Sequence, residues 1–81
     1  MNIHVLFFAR ARDLASSDKM IVEAESGATV ADLRREIARR CPALADFLPK
    51  CAVALNEEFA GDHAIVLPDV VVAVIPPVSG G

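Results

Sequence analysis

The segment near the end of the chain constrains the fold most. Val70–Ile75 is an unbroken apolar run rich in valine, which is typical of a buried β-strand. Pro76 and Pro77 follow and end the strand, because proline cannot donate a hydrogen bond to a sheet ladder. The sequence then closes on two glycines, which lack a Cβ and let another protein approach the backbone closely. We therefore predict a rigid strand followed by a flexible tail, residues 76–81, whose distinctive group is the carboxylate of Gly81.

Composition favours one small folded domain, which we place at residues 1–75. The 81 residues are 54% apolar, enough to fill a core and to leave apolar surface for a partner. The net charge of −3 disfavours a nucleic-acid partner, which would require a basic patch. No secretory signal and no membrane span is recognisable, so we expect a cytoplasmic protein that does not bind a membrane. Cys41 and Cys51 are expected to be reduced thiols, and no metal-ligand spacing is present.

Alternation of apolar side chains predicts two strands at the start of the chain. Ile3–Ala9 and Lys19–Glu23 are rich in β-branched and apolar residues, and the polar residues 10–17 between them are expected to form a connection. Such a short link suggests an antiparallel pair. In the first strand, Phe7 belongs to the face turned to the core and Phe8 to the opposite face.

A single main helix is predicted after the second strand. Thr29 stands three residues before Asp32, which is the spacing of a capping box at a helix start. Apolar residues then recur at helical spacing, and they are Val30, Leu33, Ile37 and Cys41. Pro42 ends this pattern.

Short strands complete the pattern. They are predicted at Ala52–Leu55, at a return strand around Phe59 and at Val70–Ile75, while 64–67 forms a strand or a connection. The resulting order, β-β-α-β-β-β, indicates an α+β domain with a mixed sheet. We place the two most apolar strands, the first and the last, side by side at its centre.

Four motifs together resemble one family. They are Val5–Arg10, Thr29–Leu33, Ala54–Asn56 and the tail Pro-Pro-Val-Ser-Gly-Gly. On these residues the chain resembles the MoaD/ThiS group of ubiquitin-like sulfur carriers, and within it the small subunits of molybdopterin synthase. The resemblance implies a β-grasp fold, with a mixed sheet of four to five strands and one main helix packed across it. One departure is the turn Leu67–Val70, which lacks the glycine common in the family and leaves the geometry of that turn open.

The resemblance also implies a chemistry carried by Gly81, with Gly80 beside it. An E1-like adenylating enzyme would use ATP to activate the carboxylate, and a sulfur donor such as a cysteine desulfurase or a rhodanese-like protein would convert it to a thiocarboxylate. The charged tail would then enter a large subunit, in a heterotetramer, and give its sulfur to a cyclic pyranopterin. No cofactor would be permanently bound, and no side-chain catalysis is expected. No catalytic set is recognisable around His4 and His63.

Apolar residues left outside the core are candidates for docking. By the resemblance, Phe8, Phe59 and Ile75 contribute to contact with the large subunit, since apolar surface on a small domain commonly marks an interface. The tail residues Pro76, Pro77, Val78 and Ser79 would extend that contact into the partner. The alternative is that Phe8 and Phe59 belong to a second small core.

Three other functions stay open at this point. The first is a sulfur carrier for thiamine or another sulfur-containing product. The second is a protein modifier joined to lysines through Gly81, and the third is a non-covalent interaction module with an inert tail. Neighbouring biosynthetic partners, isopeptide conjugates and the effect of removing the tail would distinguish these alternatives.

Overall fold

The computed structural model describes residues 1–77. Within that range, the strands are β1 (Asn2–Phe7), β2 (Lys19–Glu23), β3 (Ala52–Leu55), β4 (Glu58–Ala60) and β5 (Val71–Ile75). The helices are α1 (Ala9–Ala15) and α2 (Val30–Arg40), and two 3₁₀ turns follow α2 at Pro42–Leu44 and Leu48–Lys50. The second strand, the main helix and the third strand lie where the sequence predicts them.

The strands form one mixed sheet in the order β2-β1-β5-β3-β4. β1 and β5 pair in parallel at its centre, with Val5 opposite Val72, and all other pairs are antiparallel. The prediction that the first and last strands are central neighbours is confirmed. β5 is thus held by hydrogen bonds along both of its edges, to β1 on one side and to β3 on the other.

The core lies between one face of the sheet and helix α2. Alternate residues of each strand point into it, as the two-residue period of a strand requires. The buried sheet residues are Ile3, Val5, Phe7, Val22, Val53, Val72 and Val74, and α2 contributes Val30, Leu33 and Ile37. The opposite face of the sheet has no helix over it in the described part of the chain.

The start of α2 is held by a capping box, as predicted. The Thr29 hydroxyl accepts a hydrogen bond from the Asp32 backbone N–H at 3.2 Å, and the Thr29 N–H donates to the Asp32 carboxylate at 3.0 Å. This pair satisfies N–H groups that have no partner within a helix. The hydrogen bond from the Thr29 N–H, followed by the Thr29 side chain and the nearby Arg35, lowers the pKa of the Asp32 carboxyl.

Arg34 fastens α2 to the segment that leads into β3. Its guanidinium donates to the backbone carbonyls of Leu48 at 2.5 Å and Cys51 at 2.9 Å, and to the Asp62 carboxylate at 2.9 Å. The side chain is 19% exposed, so these bonds are formed in partly dry surroundings. Three fixed bonds from one planar group set the position of β3 relative to the helix.

The prediction of a polar connection over residues 10–17 is wrong, because most of it is helix α1. Ala11 is fully buried, and Leu14 and Ala15 pack against the core from positions three and four residues later. That helical spacing was hidden by the charged residues around it. Residue Ser16, with φ of 56°, ends the helix in the left-handed conformation common at helix ends.

The bounds of two strands also differ from the prediction. β1 ends at Phe7 instead of Ala9, because Ala9 has a φ of 50° and turns the chain out of the extended conformation. β5 begins at Val71 instead of Val70. Residues 64–67 form a connection with one isolated bridge, between Thr29 and Ile65, which is one of the two predicted forms.

The turn Leu67–Val70, which lacks the glycine common in the family, has a regular turn geometry. Pro68 occupies its second position and Asp69 its third, with φ of 65°, and the Val70 N–H faces the Leu67 carbonyl at 3.4 Å. Proline followed by a residue of positive φ is the pattern of a type II turn. Asp69 therefore holds a conformation that glycine would adopt with less strain.

Candidate functional site

The predicted site divides into a part that the structure describes and a part that it does not. Val78, Ser79, Gly80 and Gly81 lie outside the described residues, so their predicted roles stay predictions. Pro76 is half-buried and Pro77 exposed, directly after the end of β5.

The sheet topology determines where the tail begins. Because β1 and β5 are parallel, with Phe7 opposite Val74, both strands end at the same edge of the sheet. Ile75, the last residue of β5, is also opposite Ala52 at the start of β3. The tail therefore starts between two neighbouring strands, at the edge where Phe8 follows β1.

The uncovered face of the sheet carries an apolar groove of about 540 Å³, which we call the sheet groove. Phe8 is 47% exposed and Phe59 75% exposed, and both line it together with Ile75. The other lining residues are Leu6, Ala54, Asn56, Glu57, Val71 and Ala73. The structure thus brings the three predicted docking residues onto one surface, beside the start of the tail.

Val71, which is 44% exposed in the same groove, was not among the predicted docking residues. The unbroken apolar run of the last strand suggested that both of its faces are covered, or that one of them is covered by a partner. Counting back in steps of two from Ile75 gives Ala73 and Val71, so the alternation of a strand was the signal that would have found them.

A tight hairpin forms one end of the sheet groove. Leu55 pairs with Glu58, and the two residues between them, Asn56 and Glu57, have φ of 48° and 71°. Two positive φ values in a two-residue loop define the hairpin turn that suits the twist of the strands. Asn56 also joins the hairpin to β5, since its N–H donates to the Val71 carbonyl and its Oδ1 accepts from the Val71 N–H, both at 2.9 Å.

Side chains that often perform catalysis are scattered in residues 1–77. His4 and His63 are exposed and belong to different parts of the fold, and no three potential metal ligands meet within the described range. Burial raises the pKa of the Cys51 thiol, against the opposing charge of Arg34, so this sulfur stays protonated near neutral pH. Cys41 follows the last residue of α2, is half-buried and packs against the core, in agreement with its place on the predicted apolar stripe.

What this arrangement can do is bind an apolar surface. The sheet groove offers exposed aromatic and aliphatic side chains on a rigid central sheet, and its edge adjoins the start of the tail. No helix in residues 1–77 has the length and apolar content needed to cross a bilayer.

Comparison with known proteins identifies the family. The ThiS family model matches residues 5–81, which is nearly the whole chain. The chain therefore belongs to the ThiS family.

Full-length relatives carry one shared name. The chain is 38% identical over 81 residues to a molybdopterin synthase sulfur carrier subunit of Arabidopsis thaliana, covering 100% of this chain and 84% of that protein. It is 37% identical over 83 residues to the protein of the same name from Chlamydomonas reinhardtii, covering 100% of both.

Solved structures share the architecture. SAMP1 from Haloferax volcanii superposes with a TM-score of 0.91 at 26% identity, covering 100% of both chains. A chain in the complex of subunits 1 and 2 of the molybdopterin-converting factor from Helicobacter pylori 26695 superposes with a TM-score of 0.72 at 26% identity, again over 100% of both. The fold is the ubiquitin-like β-grasp, as predicted, with five strands and with α1 in addition to the main helix.

Proposed function

We propose that this protein is the sulfur carrier subunit of a molybdopterin synthase and works with a large subunit. The observation that carries the proposal is the similarity over the whole chain to relatives of that name, at 37–38% identity. The tail sequence Pro-Pro-Val-Ser-Gly-Gly lies within the matched range.

The sheet groove supports this proposal, because a carrier must be recognised by a protein that also receives its tail. Phe8, Phe59 and Ile75 lie together on the uncovered face, and Pro76 follows directly from that surface. A large subunit bound to the sheet groove would contact the start of the tail at the edge of the surface that it covers. Six extended residues reach roughly 20 Å at about 3.3 Å each, enough to enter a buried site in that subunit.

The proposed chemistry takes place at the carboxylate of Gly81. An adenylating enzyme uses ATP to form an acyl-adenylate there and releases pyrophosphate. The persulfide of a sulfur donor such as a cysteine desulfurase or a rhodanese-like protein then displaces AMP to give an acyl disulfide, and a thiol reduces this disulfide to leave a thiocarboxylate. The thiocarboxylate then gives its sulfur to a cyclic pyranopterin held by the large subunit, and two such transfers complete a dithiolene. We place these steps in the cytoplasm, a compartment in which free thiols such as Cys41 and Cys51 persist.

Intact mass measurement tests the carrier chemistry. The protein is incubated with ATP, the cognate adenylating enzyme and a sulfur donor, and we expect the mass change of one oxygen replaced by one sulfur. A variant lacking Gly81 should show no change, although its β-grasp domain is intact, and Gly81→Ala should be impaired. Normal sulfur transfer by the deletion variant would refute the proposal. Addition of the large subunit and the cyclic pyranopterin then tests whether this acceptor, and not a precursor of thiamine, receives the sulfur.

A second candidate function is attachment to other proteins. It is favoured by the superposition on SAMP1 of Haloferax volcanii, since the abbreviation SAMP1 stands for small archaeal modifier protein 1. The same activated Gly81 would then form isopeptide bonds with lysines. Conjugates that disappear on deletion of Gly81 would support a modifier, whereas a pure carrier would leave no conjugates in a denaturing gel.

A further inference from the structure

The hairpin at the end of the sheet groove holds a residue in an unfavourable conformation. Glu57 has a φ of 71°, in the left-handed region where a residue with a Cβ is strained and where glycine is favoured in this type of turn. Strained residues of this kind often lie at binding sites, where the side chain serves a purpose that glycine cannot.

The conformation is imposed by the surrounding sheet. The pairing of Leu55 with Glu58 leaves two residues for the loop, and Asn56 anchors that loop to Val71 through two hydrogen bonds of 2.9 Å. Glu57 is therefore presented on a rigid turn, with its exposed side chain forming part of the groove wall.

Charge sets Glu57 apart from the other residues of the sheet groove. Every other described residue that lines the groove is uncharged, so this carboxylate is the sole formal charge on an apolar surface. The ion pairs found within residues 1–77 join arginines of α2 to Asp32, Glu36 and Asp62, and none of them involves Glu57. Residues 78–81 are Val-Ser-Gly-Gly and carry no cationic side chain. A cation that pairs with Glu57 would consequently come from another molecule.

We propose that Glu57 is a specificity-determining residue for docking, which forms an ion pair with a lysine or arginine of the protein that covers the sheet groove. This inference rests on the proposed function, since the occupant is taken to be the large subunit. An apolar groove alone accepts many apolar surfaces, whereas one charge at its rim favours a partner with an opposite charge at that place and disfavours others. The partner surface therefore combines apolar side chains over Phe8 and Phe59 with one basic side chain at the hairpin end.

The test compares two isosteric changes at neighbouring positions. Glu57→Gln removes the charge at the groove rim, and Glu58→Gln is the matched control, because Glu58 lines a separate depression with Ile65 and Leu67. Binding to the large subunit is measured at low and high salt. We expect Glu57→Gln to raise Kd by about three- to fivefold at low salt, mainly through a slower association rate, with a smaller difference at high salt. Glu58→Gln should change Kd by less than about twofold.

A third variant separates docking from stability. Glu57→Gly relieves the strained turn, so its melting temperature should rise while its binding weakens as in Glu57→Gln. Equal effects of Glu57→Gln and Glu58→Gln would show a general effect of net charge and overturn the inference. An unchanged Kd for Glu57→Gln would also overturn it and leave the proposed function standing. If the unmodified protein fails to bind the large subunit, the proposed function and this inference fall together.

Discussion

Phe59→Ala separates the two interpretations of the exposed aromatic residues, docking surface and second core. Full burial of a phenylalanine side chain is worth about 1.5–3 kcal/mol. Phe59 is 75% exposed, so its cover by a partner would contribute about 1–2 kcal/mol, while the part already buried contributes less than about 1 kcal/mol to folding. We therefore expect Kd for the large subunit to rise about 5- to 30-fold, with a small change in the free energy of unfolding.

Titration calorimetry and urea unfolding measure these two quantities on the same protein. Ile21→Ala is the matched control, because Ile21 is 52% exposed and pairs with His4 on the same sheet face but lies outside the sheet groove. Its Kd should stay within about twofold of the unmodified protein. A normal Kd for Phe59→Ala would refute docking at this residue. A loss of more than about 2 kcal/mol in unfolding free energy would show that Phe59 is core after all.

Two further predictions concern stability. The Glu36 carboxylate accepts hydrogen bonds from Arg39 and Arg40, which with their charges hold its pKa at about 2 against an ordinary value of 4.5. Because the folded-state pKa is the lower one, this stabilisation is complete above about pH 4.5 and is lost as the pH falls toward 2. Urea unfolding of the unmodified protein and of Glu36→Gln is compared at neutral pH and at pH values between 4.5 and 2. The unmodified protein should have the higher free energy of unfolding at neutral pH, and this difference should shrink as the pH falls. A difference that stays constant would contradict the prediction. Asp69→Gly should raise the unfolding free energy by about 0.5–1 kcal/mol, because glycine adopts the positive φ of this turn without strain; a lower melting temperature in a thermal scan would speak against this.

Elements set by local chemistry were predictable in detail. The capping box of Thr29 and Asp32, the apolar stripe of α2 and the end of β5 before Pro76 each depend on residues close together in sequence, so their patterns could be recognised. Helix α1 was not predicted, because charged residues interrupt its few apolar positions. Its first residue, Ala9, also has a positive φ, which no residue type in the sequence indicates.

The sheet groove could be predicted only in part. Alternation along the first and last strands placed Phe8 and Ile75 on the uncovered face, and the family resemblance marked Phe8, Phe59 and Ile75 as docking residues. That Val71 and Glu57 belong to the same surface depends on which strands are neighbours and on their register, which join residues far apart in the chain.

The sequence by itself determined the strand and helix chemistry, the family and the tail whose last residue is the proposed working group, because these are recorded in residue types and short spacings. The tertiary structure alone decided that β3 is the second neighbour of β5, that the tail starts beside an apolar groove and that a carboxylate, on a residue with positive φ, stands at the far end of that groove. Such placements arise from pairing between distant segments, and that pairing is settled only when the whole core packs.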